Sequence, residues 1–121
     1  MNAYKTLPNY AAWFDFGSFQ CRNHNHKTLI EQKKRCDVEW YSLLNGRLYC
    51  CPRAAHAEDL GIIPTDRFNS IDFSKLKRSR AEQIKEILDF VLNTKFYPAC
   101  QYCDKGTGLC KTVKVAEQCD D

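Results

Sequence analysis

The 121-residue chain has no apolar run long enough to span a bilayer, no strong excess of either charge, no internal repeat and no low-complexity segment. Without about 20 consecutive apolar residues, no transmembrane helix is expected, and no membrane partner. The N-terminus lacks the charged, apolar and small-residue succession of an export signal, so the cytosol is the expected compartment. Eighteen Lys and Arg against fifteen Asp and Glu leave a net charge of +3. So slight an excess gives no field for a polyanion, and nucleic acid is not an expected partner. The length suits one domain with a modest core.

What the chain has in quantity is cysteine, eight in all. In a small secreted protein an even count suggests disulfides, but the export signal is missing. Clustered thiols in a reducing compartment are more often metal ligands or redox groups.

The stretch from Cys36 to Gly61 organises the rest. Val38, Trp40, Leu43 and Leu44 lead into Asn45-Gly46, and Leu48, Tyr49 and Cys50 lead out. Asn-Gly between two apolar, aromatic-rich runs predicts a β-hairpin, because both turn residues tolerate positive φ. The hairpin has Cys36 before its first strand and Cys50, Cys51 and Pro52 at the end of its second. Far downstream comes Cys100-Gln101-Tyr102-Cys103.

Around this hairpin the sequence predicts a strand over Ala12–Phe16, stopped by Gly17, with Trp13 and Phe14 as partly buried core aromatics. Cys21 to His26 reads as a polar loop, whose His24 and His26 are solvated rather than metal-bound. Thr28 and Glu31 form a capping-box pattern for a helix over 28–35. Its basic end, Lys33-Lys34-Arg35, is a solvated face suited to the helix C-terminus. Pro52 to Asp59 suits a short helix with proline at its first position and Gly61 just past its end. A helix starting there aims N–H groups at the Cys51 sulfur. Ile71-Asp72-Phe73 reads as a short strand. Ser79 and Glu82 cap a helix running to Asn93, with Ile84, Ile87, Leu88, Val91 and Leu92 on one packing face. Thr112 to Val115 alternates as a short strand would. The expected fold class is α+β: a small cysteine-rich domain with a β-hairpin over a metal or cluster site and flanking helices.

The constellation that carries chemistry is Cys36, Cys51, Cys100 and Cys103, spaced C-x14-C-x48-C-x2-C. Four thiolates hold either tetrahedral zinc or an iron–sulfur cluster, as soft, charge-dense donors. Zinc ribbons usually take C-x-x-C from both ends, so the wide first pair tilts the balance toward a cluster.

Cys36-x9-Gly46-x4-Cys51, followed by Cys100-x2-Cys103, resembles the C-terminal auxiliary-cluster domain of radical S-adenosylmethionine (SAM) enzymes, of the SPASM type or its shortened twitch form. The phrases Asn45-Gly46-Arg47-Leu48-Tyr49-Cys50-Cys51-Pro52-Arg53 and Ala99-Cys100-Gln101-Tyr102-Cys103 carry the resemblance, which covers roughly residues 36–110. It implies that Cys36, Cys51, Cys100 and Cys103 ligate one auxiliary 4Fe–4S cluster, which moves electrons, binds substrate or braces the site. It also implies a radical SAM catalytic domain as partner, in cis or in trans. Two departures stand out. Cys110 and Cys119 do not continue the spacing of a full SPASM domain, which argues for one cluster. No C-x3-C-x2-C motif occurs, so the SAM-binding catalytic cluster is absent and the chain is not expected to be catalytic alone. The start at Met1 and the orphan aromatic strand suggest an excised C-terminal piece, with all of 1–121 as one SPASM/twitch-like domain. A structural zinc module with the same four cysteine ligands, bracing a fold or a protein contact, is the alternative from another class. A disulfide-linked secreted domain is a third.

Cys50 and Cys51 are neighbours on the expected strand, so the pleat should send their side chains to opposite faces. The Gly46-x4 spacing selects Cys51 as the ligand and leaves Cys50 as a small buried hydrophobe. Cys21, Cys110 and Cys119 are incidental or substitute ligands. Arg47, Arg53 and Lys111 are candidates to sit near the site, where cations raise a cluster's potential; the competing assignment is solvated surface.

Overall fold

Asn45 and Gly46 both take left-handed backbone, with φ of 53° and 74°, the conformation a two-residue hairpin turn needs. They join β2 (Ser42–Leu44) to β3 (Arg47–Tyr49), antiparallel with Leu43 opposite Leu48 and Leu44 opposite Arg47. The structure is a computed structural model that describes residues 12–38, 40–76 and 79–114; Tyr4, Tyr10, Val115 and Cys119 lie outside the described residues. The expected strand near Ile71 is real but sits one residue earlier: β4 (Ser70–Asp72) pairs with β3 and makes a three-stranded sheet of order β2-β3-β4. Phe73 instead opens a 3-10 turn to Lys75, because the Asp72 carboxylate accepts the Ser74 N–H at 3.0 Å and bends the chain. Arg47 donates from Nε to Ser70 Oγ at 2.9 Å and pairs with Asp72 at 3.2 Å, so it braces β3 against β4 and is not part of the thiol site.

Among the described residues there are three α-helices; the second lies against β2 and β3, and the first against the 98–102 turn. Helix α1 (His26–Arg35) begins two residues before the expected start. Asn25, and not Thr28, is its N-cap: the Asn25 carboxamide oxygen accepts the Thr28 N–H at 2.9 Å. An N-cap Asn accepts the N–H three residues on, as Ser or Thr would, and capping from Asn25 starts the helix one turn upstream of Thr28. His26 therefore starts the helix and lies against Phe96, ring centroids 5.1 Å apart. Leu29 and Gln32 form the buried face of α1. Helix α2 (Pro52–Asp59) has proline at its first turn, as expected, and buries Ala54, Ala55, Ala57 and Glu58. Helix α3 (Arg80–Leu88) is capped by the Ser79 hydroxyl, which accepts the Glu82 N–H at 3.1 Å.

Helix α3 departs from expectation in its packing. None of its residues is buried, and Ile84, Leu88 and the following Leu92 stand about half exposed or more. Ile87 and Val91 are half-buried, so the described chain covers the apolar stripe only in part. From Asp89 to Asn93 the helix widens into a π-helical turn. Two tyrosines hold that turn: the Tyr41 hydroxyl donates to Val91 O at 3.0 Å and the Tyr97 hydroxyl to Phe90 O at 2.9 Å.

A second, two-stranded sheet pairs β1 (Ala12–Asp15) with β5 (Lys111–Lys114), Trp13 opposite Val113. Trp13 and Phe14 are 56% and 50% exposed, so the expectation of two core aromatics is corrected. A two-stranded ribbon has two faces and covers neither; the Lys105 ammonium lies 4.1 Å from the Phe14 ring. The core lies between α2 and the 98–102 segment, where Cys50, Ala54, Ala57, Ile63, Tyr97 and Ala99 pack together. The chain is thus a small α+β fold of three helices and two antiparallel sheets. Among the described residues no helix is long and apolar enough to cross a membrane.

Candidate metal centre

Each of the four expected cysteines is placed by the end of a local element. Cys36 follows α1, and its N–H closes the helix on Gln32 O at 2.9 Å and Lys33 O at 3.2 Å. Cys51 is the N-cap of α2, extended at φ −160°, ψ 164°, with its sulfur accepting the Ala54 N–H at 3.4 Å. The pairing of a helix N-terminus with Cys51 is as the sequence predicts. Cys100 lies in the 3-10 turn Pro98–Tyr102 and Cys103 just beyond it, where the Lys105 N–H reaches the Cys103 sulfur at 3.4 Å. All four side chains line one cavity of about 200 Å³. Residues that are 67 apart in sequence, Cys36 and Cys103, thereby share a wall.

Three polar side chains that sequence reasoning passed over hold these segments in place. Gln32 is almost fully buried, and its Nε2 donates to Cys100 O at 3.0 Å and Cys103 O at 2.9 Å. One amide thus ties α1, which carries Cys36, to the C-x-x-C turn. Asn69 is equally buried. It donates from Nδ2 to Glu58 at 3.0 Å, accepts the Ala99 N–H at 2.8 Å, and accepts the Cys50 N–H on its backbone oxygen at 3.1 Å. It therefore links α2, the 98–102 turn and the Cys50-Cys51 step. Gln101, inside the C-x-x-C, exchanges two bonds with the His24 backbone, at 2.8 and 2.7 Å. A buried Gln or Asn in a polar stretch looks like any surface residue in sequence, so only a Pro or Gly nearby could have flagged it.

Arg53 lines the cavity. Its Nη2 donates to Gly17 O at 2.8 Å and Tyr102 O at 3.1 Å, and its guanidinium lies 3.8 Å over the Phe19 ring. Its Nε is buried without a partner. Lys105, which no sequence signal singled out, also lines the cavity and pairs with Asp37 at 2.9 Å. Lys111 is exposed on β5 and does not line the cavity, so of Arg47, Arg53 and Lys111 only Arg53 lines it.

The thiols do not titrate alike. Burial pushes Cys100 up to about 12 and raises Cys36 and Cys103 as well, with the neighbouring sulfurs adding to the rise. Cys51 goes the other way, down to about 7: the Cys50 thiol hydrogen-bonded to it is the largest cause, followed by the Ala54 and Arg53 N–H groups, against the effect of burial. Cys50 is raised correspondingly, first by that bond and then by burial. Cys50 is a buried member of the apolar core, as the sequence predicts, and Cys51 is half-buried against it; strand β3 ends at Tyr49, before both residues, and both are among those lining the cavity.

The remaining cysteines are elsewhere. The exposed Cys21 sulfur sits 3.4 Å from Asn23 Oδ1, and Cys110 lies beside Asp15 O at 3.3 Å. Neither they nor His24 or His26 line the cavity. The seven described cysteines are free thiols. Among the described residues, no three His, Cys, Asp or Glu side chains are grouped closely enough to hold a metal ion as the side chains stand. The donor set suits an anionic, sulfur-ligated group in the cavity: four thiols, two N–H groups aimed at sulfur, and the unpaired Nε of a buried arginine. Comparison with family models, with curated proteins and with solved structures gives no match.

Proposed function

We propose that the chain binds one auxiliary 4Fe–4S cluster through Cys36, Cys51, Cys100 and Cys103, and serves a radical SAM catalytic domain in cis or in trans. The observation that supports this reading is the shared cavity: the four cysteines whose spacing resembles the SPASM/twitch pattern come from three separate elements and are all among the residues that line it. When bound, such a cluster supplies one-electron chemistry and a soft anionic surface beside a substrate. The chain's own residues do the rest. Gln32 and Asn69 fix the spacing of the sulfurs; Arg53, Lys105 and the Ala54 and Lys105 N–H groups offset their negative charge. The four cysteines are half-buried, which limits the access of oxidant to their sulfurs.

Anaerobic reconstitution with iron and sulfide tests this. The expected product has roughly four irons and four sulfides per chain and broad visible absorbance. Recovery of one zinc and no iron from anaerobically purified chain carried through the same procedure supports the structural zinc module instead. The reconstituted chain with reductant is expected to yield no 5′-deoxyadenosine from SAM, since it has no C-x3-C-x2-C; detectable product overturns the assignment of an auxiliary role.

A further inference from the structure

The cavity that holds the thiols is not walled evenly. Cys36, Cys51, Cys100 and Cys103 belong to chain segments that Gln32 and Asn69 tie to one another from within. One stretch of the wall lies outside that bracing: Val91 and Leu92, from the π-helical turn Asp89–Asn93. Leu92 is 70% exposed and stands at the lip. The turn contributes no thiol, and α3 before it buries no residue. Its other side faces a second hollow, an open groove of about 820 Å³ along the three-stranded sheet. Glu86, Asp89 and Phe90 line that groove across from Arg47, Ile71 and Asp72. A segment with the cavity on one side and a groove on the other has few packed neighbours to resist its movement, and such segments open at low cost.

What holds the turn in place is a small set of hydrogen bonds. A π-helical turn departs from the regular helix ladder, and here side chains bond its carbonyls. The Tyr41 hydroxyl donates to Val91 O at 3.0 Å and the Tyr97 hydroxyl to Phe90 O at 2.9 Å. Thr94 Oγ1 adds a second bond to Phe90 O at 2.8 Å. The Phe90 ring meets both tyrosine rings, with centroids 6.2 and 5.2 Å away. Tyr41 leads into β2 and Tyr97 into the turn that carries Cys100, and both line the cavity. The turn is thus fastened to the thiol-bearing part of the chain through two phenol hydroxyls. We propose that the π-helical turn Asp89–Asn93 is a gate to the thiol cavity, latched by the Tyr41 and Tyr97 hydroxyls, and that its opening toward the groove admits the group that the four thiols bind. The gate is a property of the chain alone and stands whether that group is a cluster or a zinc ion.

A thiol reached through a local opening reacts in proportion to the open fraction, so loosening the latch speeds its reaction. The test treats the metal-free wild type, Tyr41→Phe, Tyr97→Phe and Thr94→Ala with a bulky fluorescent maleimide in rising urea, and follows each cysteine by mass spectrometry. Thr94→Ala loosens the latch from within the turn and serves if a tyrosine variant does not fold. Each variant is expected to label Cys36, Cys51, Cys100 and Cys103 roughly fivefold faster than wild type, the effect of losing one net hydrogen bond. Exposed Cys21, outside the cavity, is expected to keep its wild-type rate. Below the unfolding transition the cavity rates are expected to change little with urea, since a local opening exposes little surface. Amide hydrogen exchange at 89–93 should quicken in the variants alongside the labelling. Unchanged cavity labelling in all the folded variants overturns the proposal, as does an equal increase at Cys21. Wild-type cavity cysteines that label as fast as Cys21 show an open site with no gate. Labelling that rises with urea as steeply as unfolding itself also overturns it, because the thiols are then reached by loss of the whole fold.

Discussion

Gln32 is the residue on which the geometry of the thiols most depends. It contributes no ligand, yet its amide is the hydrogen-bonded link from α1 to the backbone of both Cys100 and Cys103. A side chain of similar size without the amide, Gln32→Leu, leaves two carbonyls without a partner. The expected cost is about 2 kcal/mol, because a buried acceptor left unpaired loses more than the net value of the bond. Urea unfolding of the metal-free chain measures that loss, and iron and sulfide content after reconstitution should fall with it, although all four cysteines remain. Wild-type metal content in a clearly destabilised Gln32→Leu chain would show that the amide stabilises the fold without setting the site.

At the scale of elements, the site is a meeting of chain ends: the C-terminus of α1, the N-terminus of α2 and the turn at 98–102. The loop after Cys103 returns to α1 at Gly106, which has φ 83°. A Cβ there would collide with Gln32 O and press on Cys36 N at 3.1 Å. Gly106→Ala therefore strains the backbone and wedges the loop off the helix end that carries Cys36. Roughly 2–4 kcal/mol of destabilisation is expected from the two effects together, read as a lower urea midpoint, with metal uptake impaired. Ser79→Ala makes the contrasting case. It removes the N-cap of α3 and should cost about 1 kcal/mol, but α3 contributes no thiol, so metal content should stay at the wild-type level. A loss of metal in Ser79→Ala would mean that α3 and its π-helical turn hold the cavity in shape.

For the molecule as a whole, the alkaline limit of stability should lie in its buried phenol and thiols. Burial, with the Tyr41 hydroxyl next, raises Tyr97 well above its ordinary value, which is about 10 in an unfolded chain. The fold thus prefers the neutral phenol. Its contribution is complete below pH ~10 and is lost as pH climbs toward the folded value, because the unfolded chain ionises first and binds fewer protons. Cys100, pushed up to about 12, acts in the same direction. The melting temperature of the metal-free chain is therefore expected to fall steadily above pH ~9, where an ordinary thiol begins to ionise. Tyr97→Phe should lower stability at pH 7 by about 1 kcal/mol, through the lost bond to Phe90 O, and should flatten the alkaline fall. A melting curve of unchanged steepness in the variant would place the alkaline transition elsewhere.

Features set by neighbouring residues were legible in the chain before any fold was known. Asn45-Gly46 specifies the hairpin, because few residues tolerate positive φ twice in succession. Pro52 and Gly61 mark the ends of α2, and Ser79 with Glu82 the start of α3, because caps act within three or four residues. The same local logic brings an N–H to the Cys51 sulfur. The spacing C-x14-C-x48-C-x2-C names four thiols as a set. That they share one wall came from packing, since Gln32 and Asn69 act across 30 to 71 residues of chain and carry no local signature. The exposure of Trp13, Phe14 and the α3 stripe was likewise beyond the sequence: periodicity shows that an element has an apolar face, and only its neighbours determine whether that face is covered.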